Sequence, residues 1–169
     1  EKVRHSITKL ADYHLTCSRE SRERVIKLGE SPDYVFNTGC PSVDIASDVI
    51  KNPNINFSLS KKYPGVGKVI DFNKKYLVVL QHPVTTEFDQ SFEQISITLK
   101  ALYKIDIQSI MLWPNIDAGS NGTSKGIRVF RENYPDNKIY FSTGIEPLDF
   151  LKIIYNSCCL IGNSSVGIR

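Results

Sequence analysis

Long apolar runs are missing from this chain: none approaches the ~18 residues that a membrane span needs. Charge of one sign is missing too. The 21 basic and 18 acidic residues leave a net charge of +3, so bulk charge points to neither a nucleic-acid nor a membrane surface. No C-x-x-C pair occurs among Cys17, Cys40, Cys158 and Cys159. Three of these lie in or beside apolar, strand-like runs, so buried reduced thiols are expected rather than a disulfide frame or a zinc site. No signal-peptide pattern opens the chain, and a cytoplasmic location is expected. The sequons Asn121-Gly122-Thr123 and Asn163-Ser164-Ser165 are therefore discounted. No G-x-G-x-x-G follows the first strand, which argues against a dinucleotide cofactor. Pro64-Gly65-Val66-Gly67-Lys68 is no Walker loop either, because Val69 follows the lysine where Ser or Thr is needed; it reads as a surface turn.

What is present suits a globular α/β protein. The 169 residues are enough for one domain or slightly more, and 41% hydrophobic with 23% charged residues is ordinary for such a chain. The stretch Leu77–Thr86, LVVLQHPVTT, is the organising element. Tyr76 to Leu80 reads as a strand buried on both faces, ending abruptly at Gln81-His82-Pro83. An amphipathic helix is expected from about Glu87 to Lys104, with Phe88, Phe92, Ile95, Leu99 and Leu102 on one face. Thr85 and Thr86 could cap it or offer hydroxyls to a phosphate. Elsewhere, strands are expected at His14–Cys17, Tyr34–Asn37, Ile110–Trp113, Ile139–Phe141 and Cys158–Ile161. Helices are expected over residues 1–12, after Ser18, from Val43 to Ile50 with Ser42 as cap, after Gly122 and after Pro147. Six alternations of strand and helix argue a doubly wound, mostly parallel sheet. In such sheets ligands bind beyond the carboxyl ends of the strands. Gly39, His82, Asn115 and Ser164/Ser165 all follow strands on that edge, which makes a nucleotide-sized ligand plausible.

Four motifs add a resemblance. They are Arg4-His5 with Ile7-Thr8-Lys9-Leu10; Gln81-His82-Pro83-Val84-Thr85-Thr86; Pro114-Asn115-Ile116-Asp117-Ala118-Gly119-Ser120; and Gly162-Asn163-Ser164-Ser165 with Gly167 and Arg169. In this order and spacing they resemble the hydrolysing UDP-N-acetylglucosamine 2-epimerases of sialic and legionaminic acid pathways. The resemblance covers essentially the whole chain. It implies one Rossmann-like half of a GT-B-like two-domain enzyme: residues 1–12 as an interdomain crossing helix, and 13–169 as the C-terminal nucleotide-binding domain, truncated at its end. The chain opens at Glu1 and stops at Arg169, and a fragment of a longer protein is expected. The partners implied are a UDP-sugar substrate, a missing N-terminal Rossmann-like half and a second copy in a homo-oligomer, with no nucleic acid and no membrane. No metal or other cofactor is implied.

The family's UDP contacts carry over where motifs match. His82 matches the histidine near the diphosphate, Asn115 the asparagine at the nucleotide, and Ser164 and Ser165 the phosphate-binding serines. Ile145 aligns with a residue whose backbone contacts the uracil. His82 is the catalytic candidate, through leaving-group binding. The acidic residues that the family uses for proton abstraction lie in its other half, so the fragment alone is expected to be inactive. Pro83-Val84-Thr85-Thr86 stands where non-hydrolysing relatives carry a basic run, which favours the hydrolysing branch. Arg128 and Arg131 match arginines at the feedback site of the animal enzyme, but they read more simply as a solvated helix face. Alternatives are a non-hydrolysing epimerase, a hydrolysing epimerase for a 2,4-diacetamido sugar nucleotide, a GT-B glycosyltransferase, and a nucleotide-sensing domain without catalysis.

Overall fold

A computed structural model describes residues 2–114, 116 and 118–167, so Asn115, Asp117 and Arg169 lie outside the described residues. The chain divides into two compact units, residues 1–51 and 52–169. The boundary expected after residue 12 thus falls inside the first unit.

The first unit holds α1 (Lys2–Leu10), β1 (His14–Thr16), α2 (Arg19–Lys27), β2 (Val35–Asn37) and α3 (Pro41–Lys51). Ser18 caps α2 as its position predicts, its side chain accepting from the Ser21 N–H at 3.1 Å. At α3 the helix begins at Pro41, two residues earlier than expected, so Cys40 and not Ser42 precedes it. The Val43 and Ser42 amides hold the Cys40 thiol below its ordinary pKa. β1 and β2 pair in parallel with each other, His14 opposite Val35, in a sheet of their own.

The second unit carries the expected doubly wound core. It contains α4 (Leu59–Lys62), β3 (Gly65–Gly67), β4 (Tyr76–Leu80), α5 (Ser91–Ile105), β5 (Gln108–Leu112), α6 (Ser120–Asn133), β6 (Ile139–Ser142), α7 (Pro147–Asn156) and β7 (Cys159–Gly162). The sheet order is β3-β6-β5-β4-β7; all neighbours are parallel except β3 with β6. β4 sits inside the sheet, and all five of its residues are buried. One layer of core lies between the sheet and α5/α6, built on Leu77, Val79, Ile95, Leu99, Met111 and Ile127. A second, on the other face, gathers Tyr76, Val78, Ile110, Tyr140 and Ile153. Its polar atoms are satisfied inside: Tyr76 donates to the Ile153 carbonyl at 2.7 Å and Tyr140 to the Tyr63 carbonyl at 2.8 Å.

Four expectations are corrected. Pro64–Lys68 is not a turn, since Gly65–Gly67 adds an antiparallel edge strand. Its glycines leave one side chain, so no alternation marks it. The helix expected from Glu87 breaks there: residues Thr85–Gln90 form a 3₁₀ segment with Glu87 at φ −131, ψ 35, and α5 starts at Ser91. Phe88 and Phe92 accordingly stay partly in solvent, and neither Thr85 nor Thr86 caps a helix by its side chain. Arg131 is half-buried, with its guanidinium over the Phe141 ring at 5.9 Å, whereas Arg128 is exposed. The cysteines are free but not buried: Cys17, Cys158 and Cys159 are exposed, the last because β7 is the sheet edge.

No helix among the described residues is long and apolar enough to cross a membrane.

Candidate functional site

Sheet order decides which loops meet. β7 comes last in the chain yet pairs with β4, Leu80 opposite Gly162. The segment after each strand therefore leaves the sheet side by side: Gln81-His82 from β4, Asn163-Ser164-Ser165 from β7. On the other side of β4 lies β5, whose following loop carries Asn115, and then β6, which leads to Ile145. From β6 to β7 is three strand spacings, about 14 Å. An extended nucleoside diphosphate has that reach.

At the β7 end a cavity of about 360 Å³ is lined by Leu80, Gly162, Asn163, Ser164, Ser165 and Gly167, with Leu160 and Ile161 behind. Ser165 opens a short 3₁₀ turn, and Ser164 Oγ accepts from the Val166 N–H at 3.4 Å. Gly162 makes the close approach possible. Its φ is +142°, and a Cβ there would lie 2.0 Å from the Leu80 carbonyl oxygen.

His82 is bonded through its main chain rather than its ring. Its N–H donates to Asn163 Oδ1 at 2.8 Å, and its carbonyl accepts from Asn163 Nδ2 at 2.8 Å. The ring's Nδ1 is buried and meets no hydrogen-bond partner among the described residues. A buried ring nitrogen without a partner costs about 1–3 kcal/mol, so such a group suits a ligand that supplies one.

The loop after β5 is drawn against the His82 loop by α6. A Cβ on Gly119 would touch Pro83 Cβ at 2.9 Å. Further along α6, Gly126 lies against α5, where a Cβ would meet Ile95 Cγ2 at 2.4 Å. This contact sets α6, and hence the end of the 114–119 loop, next to the β4 exit. Asn115 itself falls outside the described residues. Ile145 is half-buried and packs on the Tyr76/Val78/Ile153 layer, two strands from His82. The structure thus brings His82, Ser164 and Ser165 to adjoining strand ends and sets Ile145 at the far end of the same edge. Gly39 follows β2 and belongs to the other sheet.

Two features were missed by sequence reasoning. Asn163 was legible only as part of a polar run. The other is a buried carboxylate in the first turn of α7, which follows Ile145. Asp149 accepts from Tyr63 Oη at 2.6 Å and from Lys62 Nζ at 2.5 Å. Burial pushes its pKa up, but the bonds from Lys62 and Tyr63 outweigh this and hold the carboxyl below its ordinary value. A depressed folded-state pKa means the pair stabilises the fold above the unfolded value, and that contribution is lost as pH falls through the folded value. Asp149→Asn is expected to cost about 1.5–3 kcal/mol near pH 7, the range for hydrogen bonds to a charged group. It should also flatten the loss of stability below about pH 4, the unfolded carboxylate range. Urea midpoints from pH 3 to 7 check both; equal slopes for the two proteins would remove Asp149 from the acid response.

Among the described residues no group of three His, Cys, Asp or Glu could hold a metal ion.

Comparison with known proteins adds the family. The model of the UDP-N-acetylglucosamine 2-epimerase family matches residues 1–169. The chain belongs to this epimerase family. Polysialic acid biosynthesis protein P7 of Escherichia coli is 36% identical over 170 residues, covering 99% of this chain and 41% of the relative. A hydrolysing UDP-N,N'-diacetylbacillosamine 2-epimerase of Legionella pneumophila is 29% identical over 168 residues, covering 99% and 42%. Among solved structures, a UDP-GlcNAc 2-epimerase from Neisseria meningitidis bound to UDP-GlcNAc superposes with a TM-score of 0.61. The identity is 14%, covering 93% of this chain and 41% of that one, so the likeness is one of fold. The chain spans about two-fifths of the length of the curated relatives it matches.

Proposed function

We propose that this chain is the UDP-holding part of a hydrolysing UDP-N-acetylglucosamine 2-epimerase, completed by a first Rossmann-like half. The observation that carries the proposal is the pairing of β4 with β7, from whose adjoining ends the His82 and Ser164/Ser165 segments leave, joined by the Asn163–His82 bonds. The 36% identical relative named for polysialic acid biosynthesis and the 29% identical one named as hydrolysing support that branch.

In the proposed reaction the C2 proton is removed and the C1–O bond to UDP breaks, giving 2-acetamidoglucal. Water then adds across the double bond, its oxygen at C1 and a proton at C2 from the opposite face, giving N-acetylmannosamine. Charge develops on the departing diphosphate, and fixed donors aimed at that charge lower the barrier. The hydroxyls of Ser164 and Ser165 and the His82 ring take that task. Asn115 serves the nucleotide, and the Ile145 backbone the uracil. Proton abstraction at C2 falls to acidic groups of the other half, so residues 1–169 alone should release no UDP.

The test uses the full-length protein with UDP-N-acetylglucosamine in ¹⁸O-water, read by NMR and mass spectrometry. Free N-acetylmannosamine with label-free UDP supports hydrolytic epimerisation through C–O cleavage. UDP-N-acetylmannosamine without free sugar overturns it in favour of the non-hydrolysing branch. A second reading, a 2,4-diacetamido substrate, is favoured by the name of the Legionella relative. Turnover of that sugar nucleotide alone would replace the first.

A further inference from the structure

We propose that Asn163 is a positioning residue for His82, a role that rests on the reading of His82 as the leaving-group residue. β7 cannot itself continue the ladder past its register with Leu80, because the chain turns away at Gly162 with φ +142°. The Asn163 amide then does what the next strand residue would do. Its oxygen accepts the His82 N–H and its nitrogen donates to the His82 carbonyl, both at 2.8 Å. A primary amide offers both functions on two separate atoms, and the two bonds hold the peptide groups on either side of the His82 Cα.

Pro83 completes the restraint. A residue before proline is confined to extended backbone, so the Asn163 bonds and Pro83 together leave His82 little freedom in φ or ψ. With the backbone held, the Cα–Cβ direction of His82 is set and fewer ring rotamers remain; its Nδ1 is buried. The next two residues in the chain are Ser164 and Ser165. One side chain thus ties together the segment that carries His82 and the segment that carries Ser164 and Ser165, and so limits how far the two can move apart. Such spacing matters, because misplacing a catalytic group by about 1 Å can cost roughly 100-fold in rate.

The experiment is a kinetic cycle in the full-length protein with UDP-N-acetylglucosamine: Asn163→Ala, His82→Gln and the double variant. Asn163→Ala is expected to lower kcat about 10- to 100-fold with KM changed much less, as for an interaction felt only in the transition state. Added to His82→Gln it should cost nothing further, since it acts through the ring that is already gone. A purely structural role would multiply the two losses, and that result overturns the proposal; so does an Asn163→Ala kcat within twofold of the parent. If Asn163→Ala does not fold, Asn163→Asp carries the same cycle. It keeps the acceptor for the His82 N–H, lacks the donor for the carbonyl, and should fall between the parent and His82→Gln. Full activity in His82→Gln itself would defeat the reading of His82, and is distinct from both failures above.

Discussion

His82→Gln in the full-length protein is expected to lower kcat about 100- to 1,000-fold, the loss typical of removing one fixed donor from developing charge. Glutamine is close in size but places no ring N–H where the imidazole has one, so the fixed donor is lost. The backbone bonds from Asn163 to residue 82 survive the change, because they involve only main-chain atoms of His82. Folding should therefore be nearly unaltered, which thermal melting can verify. The effect should fall on kcat more than on KM, since in the proposed reaction a contact from His82 to the diphosphate would strengthen as charge builds. Coupled-enzyme detection of UDP release measures it. Turnover within two- or threefold of the parent would remove His82 from the reaction.

Gly162→Ala has the largest expected effect on stability. Its Cβ would lie 2.0 Å from the Leu80 oxygen and 2.6 Å from the Leu80 carbon, both backbone atoms inside the sheet. Neither can move without breaking the β4–β7 ladder. The φ of +142° adds strain for any L side chain. Strain of about 1–3 kcal/mol and overpacking of about 1–3 kcal/mol sum to a large share of the stability of an ordinary domain, about 5–15 kcal/mol. A fall in Tm of roughly 5–20 °C should follow. Where the protein survives, β7 must shift, opening the bridge from Asn163 to His82. Gly144→Ala is the control for stability, because a Cβ there meets nothing within 4 Å. A Gly162→Ala protein with the parent's melting temperature would show that the ladder yields more easily than its geometry implies.

The site was partly legible beforehand. Tyr76–Leu80 stood out because a strand covered on both faces needs no polar residues, and the polar run after it marked the sheet edge. Ser164 and Ser165 stood out for the same reason after β7. The kink at Glu87 was hidden, since Phe88 keeps the helical spacing of the apolar face while lying largely in solvent. Asp149 was hidden because its partners, Lys62 and Tyr63, lie 87 and 86 residues away. A carboxylate in the first turn of a helix is ordinary at the surface. Only distant partners make it a buried pair.

By itself the sequence determined the alternation of strand and helix, the positions of the strand ends, and the motifs that mark the family. These are local properties: periodicity, branched side chains and turn residues act within a few positions. Tertiary structure alone decided the order of strands, the separate pairing of β1 with β2, and the glycine-rich edge strand β3. It also decided that the last strand lies beside the central one. That contact joins residues 81 apart through two 2.8 Å bonds from Asn163 to His82. Nothing local selects it, because hydrogen-bonding groups at a strand end can satisfy any neighbour, and the packing of the two helical layers chooses which neighbour arrives.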